Sequence, residues 1–140
     1  MDDGFRATLT AKAGAPVFFY TEFLDLARFP GPELVPELRA LLQRKYRDIP
    51  PDLLAVSSSR TLRLAMEHRA ALFPGVPVVF FGVDKDAAAD IALPGDVTGL
   101  WVPFNWAGTL EAALRLQPDT RRVMVVTGAG PVDRFDLVGP

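Results

Sequence analysis

Three serines and an arginine in a row, Ser57-Ser58-Ser59-Arg60, are the residues of this chain best placed to do chemistry. They lie between an apolar run and a helix-period stretch. In such a turn, hydroxyls and free backbone N–H groups point at an incoming carboxylate or other anion. The plainer reading is that Ser59 caps the helix, as any strand-to-helix turn tends to require. Three further turns stand in equivalent places, namely Tyr20-Thr21-Glu22, Gly82-Val83-Asp84 and Phe104-Asn105-Trp106. Gly82 lets a ligand or a neighbouring backbone come close, or simply serves its turn. Asp84 is suited to accept hydrogen bonds from an ammonium or hydroxyl group, or to cap a short helix after it. Trp101 and Trp106 flank a strand end, where an exposed ring stacks on a flat ligand; such rings are more often packing.

Catalytic machinery is hard to assemble from the rest. The one histidine, His68, falls towards the polar edge of its helix, with no cysteine or second histidine to share a metal. It reads as a surface residue. No phosphate-binding glycine loop or nucleophile elbow is present. Gly128-Ala129-Gly130 follows a strand-like run, but no helix pattern comes after it. The carboxylates Glu22, Asp25 and Asp84 show no spacing that makes two of them an acid/base pair. The expectation is a binding domain rather than an enzyme, with no cofactor and no metal.

The elements that must position these turns can be read from apolar periodicity. Ala15–Glu22, Pro51–Ser58, Val76–Val83 and Arg122–Thr127 are short, unalternating apolar runs bounded by Pro, Gly or Ser. Strands of a parallel sheet with both faces covered read this way. Thr98–Phe104 is a weaker strand candidate. Between them, Asp3–Ala13, Glu33–Arg47, Ser59–Phe73 and Asn105–Leu116 carry apolar residues at helical spacing. Pro36 belongs in the first turn of its helix, since further inside it would break it. Gly14 and Pro118 mark stops, and a short helix is expected around Asp86–Ile91. Phe18, Phe19, Phe80 and Phe81 read as core. Such alternation of strands and helices predicts an α/β fold with a three-layer, doubly wound parallel sheet of the Rossmann or flavodoxin-like kind. In such sheets ligands bind outside the carboxyl ends of the strands, which is why the four turns are candidates.

Both ends look cut. The chain opens on a helix where a central strand is usual, and no covering helix follows Arg122–Thr127. The reading is a fragment or a reduced version of something longer. Without a central strand, Val17–Tyr20 and its neighbours expose a pairing edge, which predicts aggregation or domain swapping.

Composition narrows the class. The chain has 140 residues, 49% of them hydrophobic and 23% charged, as in an ordinary globular domain. Fifteen Lys+Arg against seventeen Asp+Glu leave a net charge of −2, with no basic surplus to meet a nucleic acid. There are no cysteines, so disulfides and thiolate sites are excluded. The start, Met1-Asp2-Asp3-Gly4, carries no export signal.

Longer strings carry a resemblance. EFLDLARFP (Glu22–Pro30), FPGVPVVFFGVD (Phe73–Asp84), DVTGL (Asp96–Leu100) and GTLEAALRLQPDTRRVMVVTG (Gly108–Gly128) resemble the ABC-type substrate-binding-protein-like ligand domain. That family serves as transport receptor and as the extracytoplasmic sensor region of bacterial two-component histidine kinases. The resemblance runs from about Gly4 to Asp133, with no catalytic motif, and EFLDLARF looks more like the kinase branch. It implies a class I periplasmic-binding-protein architecture of two lobes closing on a small molecule. On this sequence, residues 1–104 become the first lobe, lacking its opening strand, with the crossover. Residues 105–128 become the first helix and strand of the second lobe, and 129–140 a tail. The ligand-facing turns implied are Tyr20 and Thr21, Ser57, Ser58, Ser59 and Thr61, Gly82, Val83 and Asp84, and Asn105 and Trp106. The implied ligand is an amino acid or other small polar solute. The implied partners are a linked kinase or an ABC permease, with a homodimer as a further expectation, and the implied location is extracytoplasmic. A flavodoxin-like response-receiver domain and a small α/β enzyme are the alternatives, and Asp84 with Lys85 mimics part of the receiver's acidic site.

Overall fold

The computed structural model describes residues 2–26, 28, 33–103 and 105–126. In chain order the elements are α1 (Asp2–Lys12), α2 (Leu34–Lys45), β1 (Leu54–Ser57), α3 (Ser59–Leu72) and β2 (Val78–Val83). A single 3-10 turn (Asp86–Ala88), β3 (Val97–Trp101) and α4 (Trp106–Leu116) follow. The three strands form one parallel sheet in the order β1-β2-β3. The α/β class and the parallel sheet are therefore as expected, and the arrangement is compatible with a flavodoxin-like fold.

The core sits between the sheet and α3. Val56, Val78, Phe80, Val83 and Val97 from the strands close around Leu62 of α3 and Ala88 of the 3-10 turn, all buried. Leu62, Val78 and Val83 lose all contact with water. Each such side chain contributes about 1.5–3 kcal/mol relative to an exposed one. A second cluster of Leu42, Tyr46 and Phe73 seats α2 on α3. Phe81 stacks at 5.4 Å on Phe5 of α1. Because strand side chains alternate, α1 meets the sheet on the face away from Phe80. Pro36 stands in the first turn of α2, where its missing N–H is harmless.

Two glycines shape the sheet. Phe80 pairs with Gly99 but Val83 with Trp101, so β2 holds one residue more than β3 between these pairs. Gly82 sits in this bulge at φ 61°, a left-handed backbone that any other residue adopts only under strain. Gly99 answers a different need, since a Cβ there would lie 2.1 Å from the Phe80 carbonyl oxygen.

Two expected strands are not strands. Residues 16–25 and 120–126 are without regular structure. Their composition suits a strand, but a strand exists only by hydrogen bonding to a neighbour. Phe18 is accordingly 80% exposed, not core, and Phe19 is half-buried under the Arg6 guanidinium at 4.7 Å. Val123 to Val126 are exposed as well. Thr127, the pair Gly128 and Gly130, the 129–140 tail and Phe104 lie outside the described residues.

Candidate functional site at the carboxyl edge of the sheet

Parallel pairing brings the ends of the three strands, Ser57, Val83 and Trp101, to one edge of the sheet. Ser57 ends β1 beside Phe81, one residue before the Gly82 bulge. The serine run turns directly from β1 into α3. Ser58 holds the turn at φ 74° and ψ 151°, a backbone region that belongs almost wholly to glycine and costs a serine on the order of 1–3 kcal/mol. Ser58, not Ser59, is the cap: its Oγ accepts from the Thr61 N–H at 3.4 Å. Its hydroxyl also lies 3.2 Å from Thr61 Oγ1. Ser59 is the first residue of α3, so its backbone N–H and that of Arg60 have no intrahelical acceptor. The first turn of α3 contains no acidic residue, which leaves the positive end of its dipole uncompensated.

The segment before α2 passes this turn. Arg60 donates to the Leu26 carbonyl, and Arg6 donates to Thr21 Oγ1. Glu22 accepts from both Lys45 and Tyr46 at the end of α2, and Tyr20 meets the Tyr46 ring edge-on at 6.0 Å. Burial pushes Glu22 up, but the hydrogen bonds from Lys45 and Tyr46 and the Lys45 charge outweigh it and hold the carboxyl below its usual value. Burial, the hydrogen bond to Glu22 and its charge push the Tyr46 hydroxyl up to about 12. This anchoring was not evident in the sequence, because Glu22 and Tyr46 are 24 positions apart. The only available sign was a tyrosine on the apolar stripe of α2 next to a lysine.

The other candidate residues divide between caps and core. Asp84 Oδ1 accepts the Ala87 N–H at 2.8 Å, which is the capping role. Asn105 Oδ1 accepts the Gly108 N–H at 2.7 Å and caps α4 in the same way. Val83 is fully buried and its carbonyl accepts the Val102 N–H at 2.8 Å. Gly82 serves the bulge. Trp106 is 58% exposed at the start of α4, whereas Trp101 tilts against Phe80 at 4.5 Å. His68 is half-buried on α3, with Glu67 Oε2 at 3.9 Å.

What remains at this edge is a cationic, hydroxyl-rich turn made of Ser57, Ser59, Arg60 and the open N–H groups of α3. It can hold a carboxylate or a similar anion. A serine in a strained strand-to-helix turn also suits a nucleophile, but the Thr61 hydroxyl beside Ser58 is no base. Among the described residues no three of His, Cys, Asp and Glu stand close enough to hold a metal ion. No described helix is long and apolar enough to cross a membrane. No family model, curated protein or solved structure matches the chain.

Proposed function

We propose that this chain carries a small-molecule-binding domain of the class I periplasmic-binding-protein kind. Its doubly wound first lobe takes an amino acid or comparable small polar solute at the carboxyl edge of the sheet. The observation that supports this reading best is Ser58, whose glycine-like backbone opens α3 with two N–H groups and an uncompensated helix dipole facing outward. Strain of this kind gathers at ligand sites. The resemblance supplies the setting, an extracytoplasmic sensor or transport receptor linked to a histidine kinase or an ABC permease. The domain binds and does not turn its ligand over.

The test is thermal denaturation of the chain with each of the common L-amino acids in turn. For a weak site with a Kd of about 1 mM, ligand at ten times that concentration stabilises by roughly 1.4 kcal/mol. For a chain of this size that is a rise of about 3–6 °C in Tm. Ser59→Ala and Arg60→Gln should reduce it. No rise with any amino acid would refute the amino-acid reading. A mass gain at Asp84 on treatment with acetyl phosphate would favour the response-receiver alternative instead.

A further inference from the structure

The run 17–22 has no regular structure, yet it is laid out as a strand would be. Its side chains alternate between two partners. Phe19 and Thr21 meet Arg6 of α1, one under the guanidinium and the other through its hydroxyl. Tyr20 and Glu22 meet Tyr46 of α2 instead, through the ring edge and the carboxylate. α1 stacks on the Phe81 face of the sheet, whereas α2 and α3 lie on the opposite face with Leu54, Val56 and Phe80. A run that touches both layers lies in the plane of the sheet.

Two tethers set its direction. α3 leaves the carboxyl end of β1 and finishes ahead of β2, so it spans the sheet from the carboxyl to the amino edge. The Tyr46 ring packs against Phe73 at 5.7 Å, which puts the Glu22 contact towards the amino edge. Arg60, in the first turn of α3, holds the Leu26 carbonyl at the carboxyl edge. From Glu22 to Leu26 the chain therefore runs parallel to β1.

The place beside it is open. β1 stands at the end of the strand order and pairs only with β2. The Leu54 N–H bonds to the Pro77 carbonyl, so by alternation the N–H and C=O groups of Ala55 and Ser57 point away from β2. β1 (LAVS) carries neither charge nor proline, the devices by which natural edges resist pairing. α2 connects the run to β1 and packs beside Leu54, as the crossover of a β-α-β unit does. Among the described residues no backbone hydrogen bond joins the run to β1.

We infer that residues 17–22 are a strap poised to close on β1 as a fourth parallel strand. Direction, facing and connection already match, so closing is a sideways shift. The tethers at Thr21, Glu22 and Leu26 remove much of the chain freedom that pairing would otherwise cost. Tyr20 and Glu22 face the same layer as Leu54 and Val56, which fixes the parity of the register. Closing covers the open edge of β1, and Arg60 couples the strap to the first turn of α3.

The experiment is hydrogen exchange read residue by residue by NMR. Val56 is the internal reference, because its N–H points at β2 whether the strap is open or closed. The Ala55 amide should exchange roughly a hundredfold more slowly than an unstructured amide. Phe18→Pro and Phe19→Pro, made separately, remove a ladder donor of each parity in turn. Neither residue lies in a helix or strand, so Val56 should stay protected in both. The variant whose lost N–H faced β1 should return Ala55 to the unstructured rate. Tyr46→Phe should speed Ala55 about tenfold relative to Val56, because it loosens one tether. An Ala55 amide that exchanges freely in the wild type overturns the inference. Protection that neither proline disturbs also overturns it, since something other than the strap then covers the edge.

Discussion

Arg69 of α3 and Asp96 ahead of β3 are joined by two parallel hydrogen bonds, Nη1 to Oδ2 at 2.8 Å and Nη2 to Oδ1 at 2.7 Å. The Asp96 carbonyl meanwhile accepts the Val78 N–H at 3.0 Å, at the first residue of β2. One residue thus ties the crossover helix to the start of two strands. Arg63 grips Asp90 in the same fork, at 2.7 and 2.8 Å. The segment between β2 and β3 is thus pinned to α3 at two points, and the Arg69–Asp96 fork lies at the amino edge of the sheet, opposite the candidate site.

The hydrogen bond from Arg69 holds Asp96 below its ordinary value of 3.8, against a smaller opposing effect of burial. Arg63 does the same for Asp90. A carboxyl with a lowered folded-state pKa stabilises the fold above about pH 4, and the effect is lost as pH falls through that lowered value. Asp96→Asn should therefore lower Tm by a few degrees at pH 7. It should also flatten the loss of stability below pH 4, as seen in melts taken from pH 7 to pH 2.

Gly99→Ala should be among the most damaging small changes in the chain. The new Cβ would meet the Phe80 carbonyl oxygen at 2.1 Å and the Phe80 ring at 2.5 Å, and backbone paired in a sheet cannot retreat far. A loss of about 3 kcal/mol is expected in urea titration. Gly95→Ala is the control, since a Cβ there meets nothing within 4 Å. It should change stability by about 0.5 kcal/mol or less.

Most of the elements could be read from the sequence because their causes are local. The stripe Leu38, Leu42 and Tyr46 gives α2, and Val78 to Val83 gives a strand between Pro77 and Asp84. The runs at Val17–Tyr20 and Arg122–Val126 show the limit of that reading. Composition says that a segment would make a good strand, and only hydrogen bonding to a neighbouring strand makes it one. Gly82 stood out by its place at a turn, yet its φ of 61° answers a bulge that comes from the mismatch of β2 with β3. Gly99 drew no notice at all, because the approach of Phe80 is a tertiary event. At the candidate site, strand-end logic names turns that parallel pairing brings to one edge of the sheet. It could not tell that Ser58, Asp84 and Asn105 serve as caps, because a cap and a ligand contact ask for the same side chains.

Ser58 allows strain and capping to be separated. Ser58→Ala loses the bond to the Thr61 N–H and keeps the strained backbone, so it should cost about 1 kcal/mol. Ser58→Gly loses only a few tenths as a cap and releases strain on the order of 1–3 kcal/mol. It should raise stability by about 1 kcal/mol. Chemical denaturation of the two variants reads both effects. If Ser58→Gly instead costs a few tenths of a kcal/mol while Ser58→Ala costs about 1 kcal/mol, Ser58 acts through its cap alone and its backbone carries no strain.

Glu22 and Tyr46 make a pH-dependent clasp on the segment that passes the site. The Tyr46 hydroxyl is pushed from 10.0 up to about 12, so the neutral form is favoured in the folded chain. Its contribution is fully present below pH 10 and disappears as pH rises through 12. Glu22, held below 4.5, contributes above that value and loses its effect as pH falls through the lowered one. Tyr46→Phe keeps the ring between Tyr20 and Phe73 and removes only the hydroxyl. It should cost about 1–2 kcal/mol between pH 5 and pH 10, with the difference from wild type closing on either side. The opening should be local, since only Glu22 and its neighbours lose an anchor. Hydrogen exchange at Val17 to Leu26 should quicken in Tyr46→Phe, while exchange at Val78 to Val83 follows the global stability. Equal acceleration in both regions would mean that the clasp belongs to the core and not to the segment beside the site.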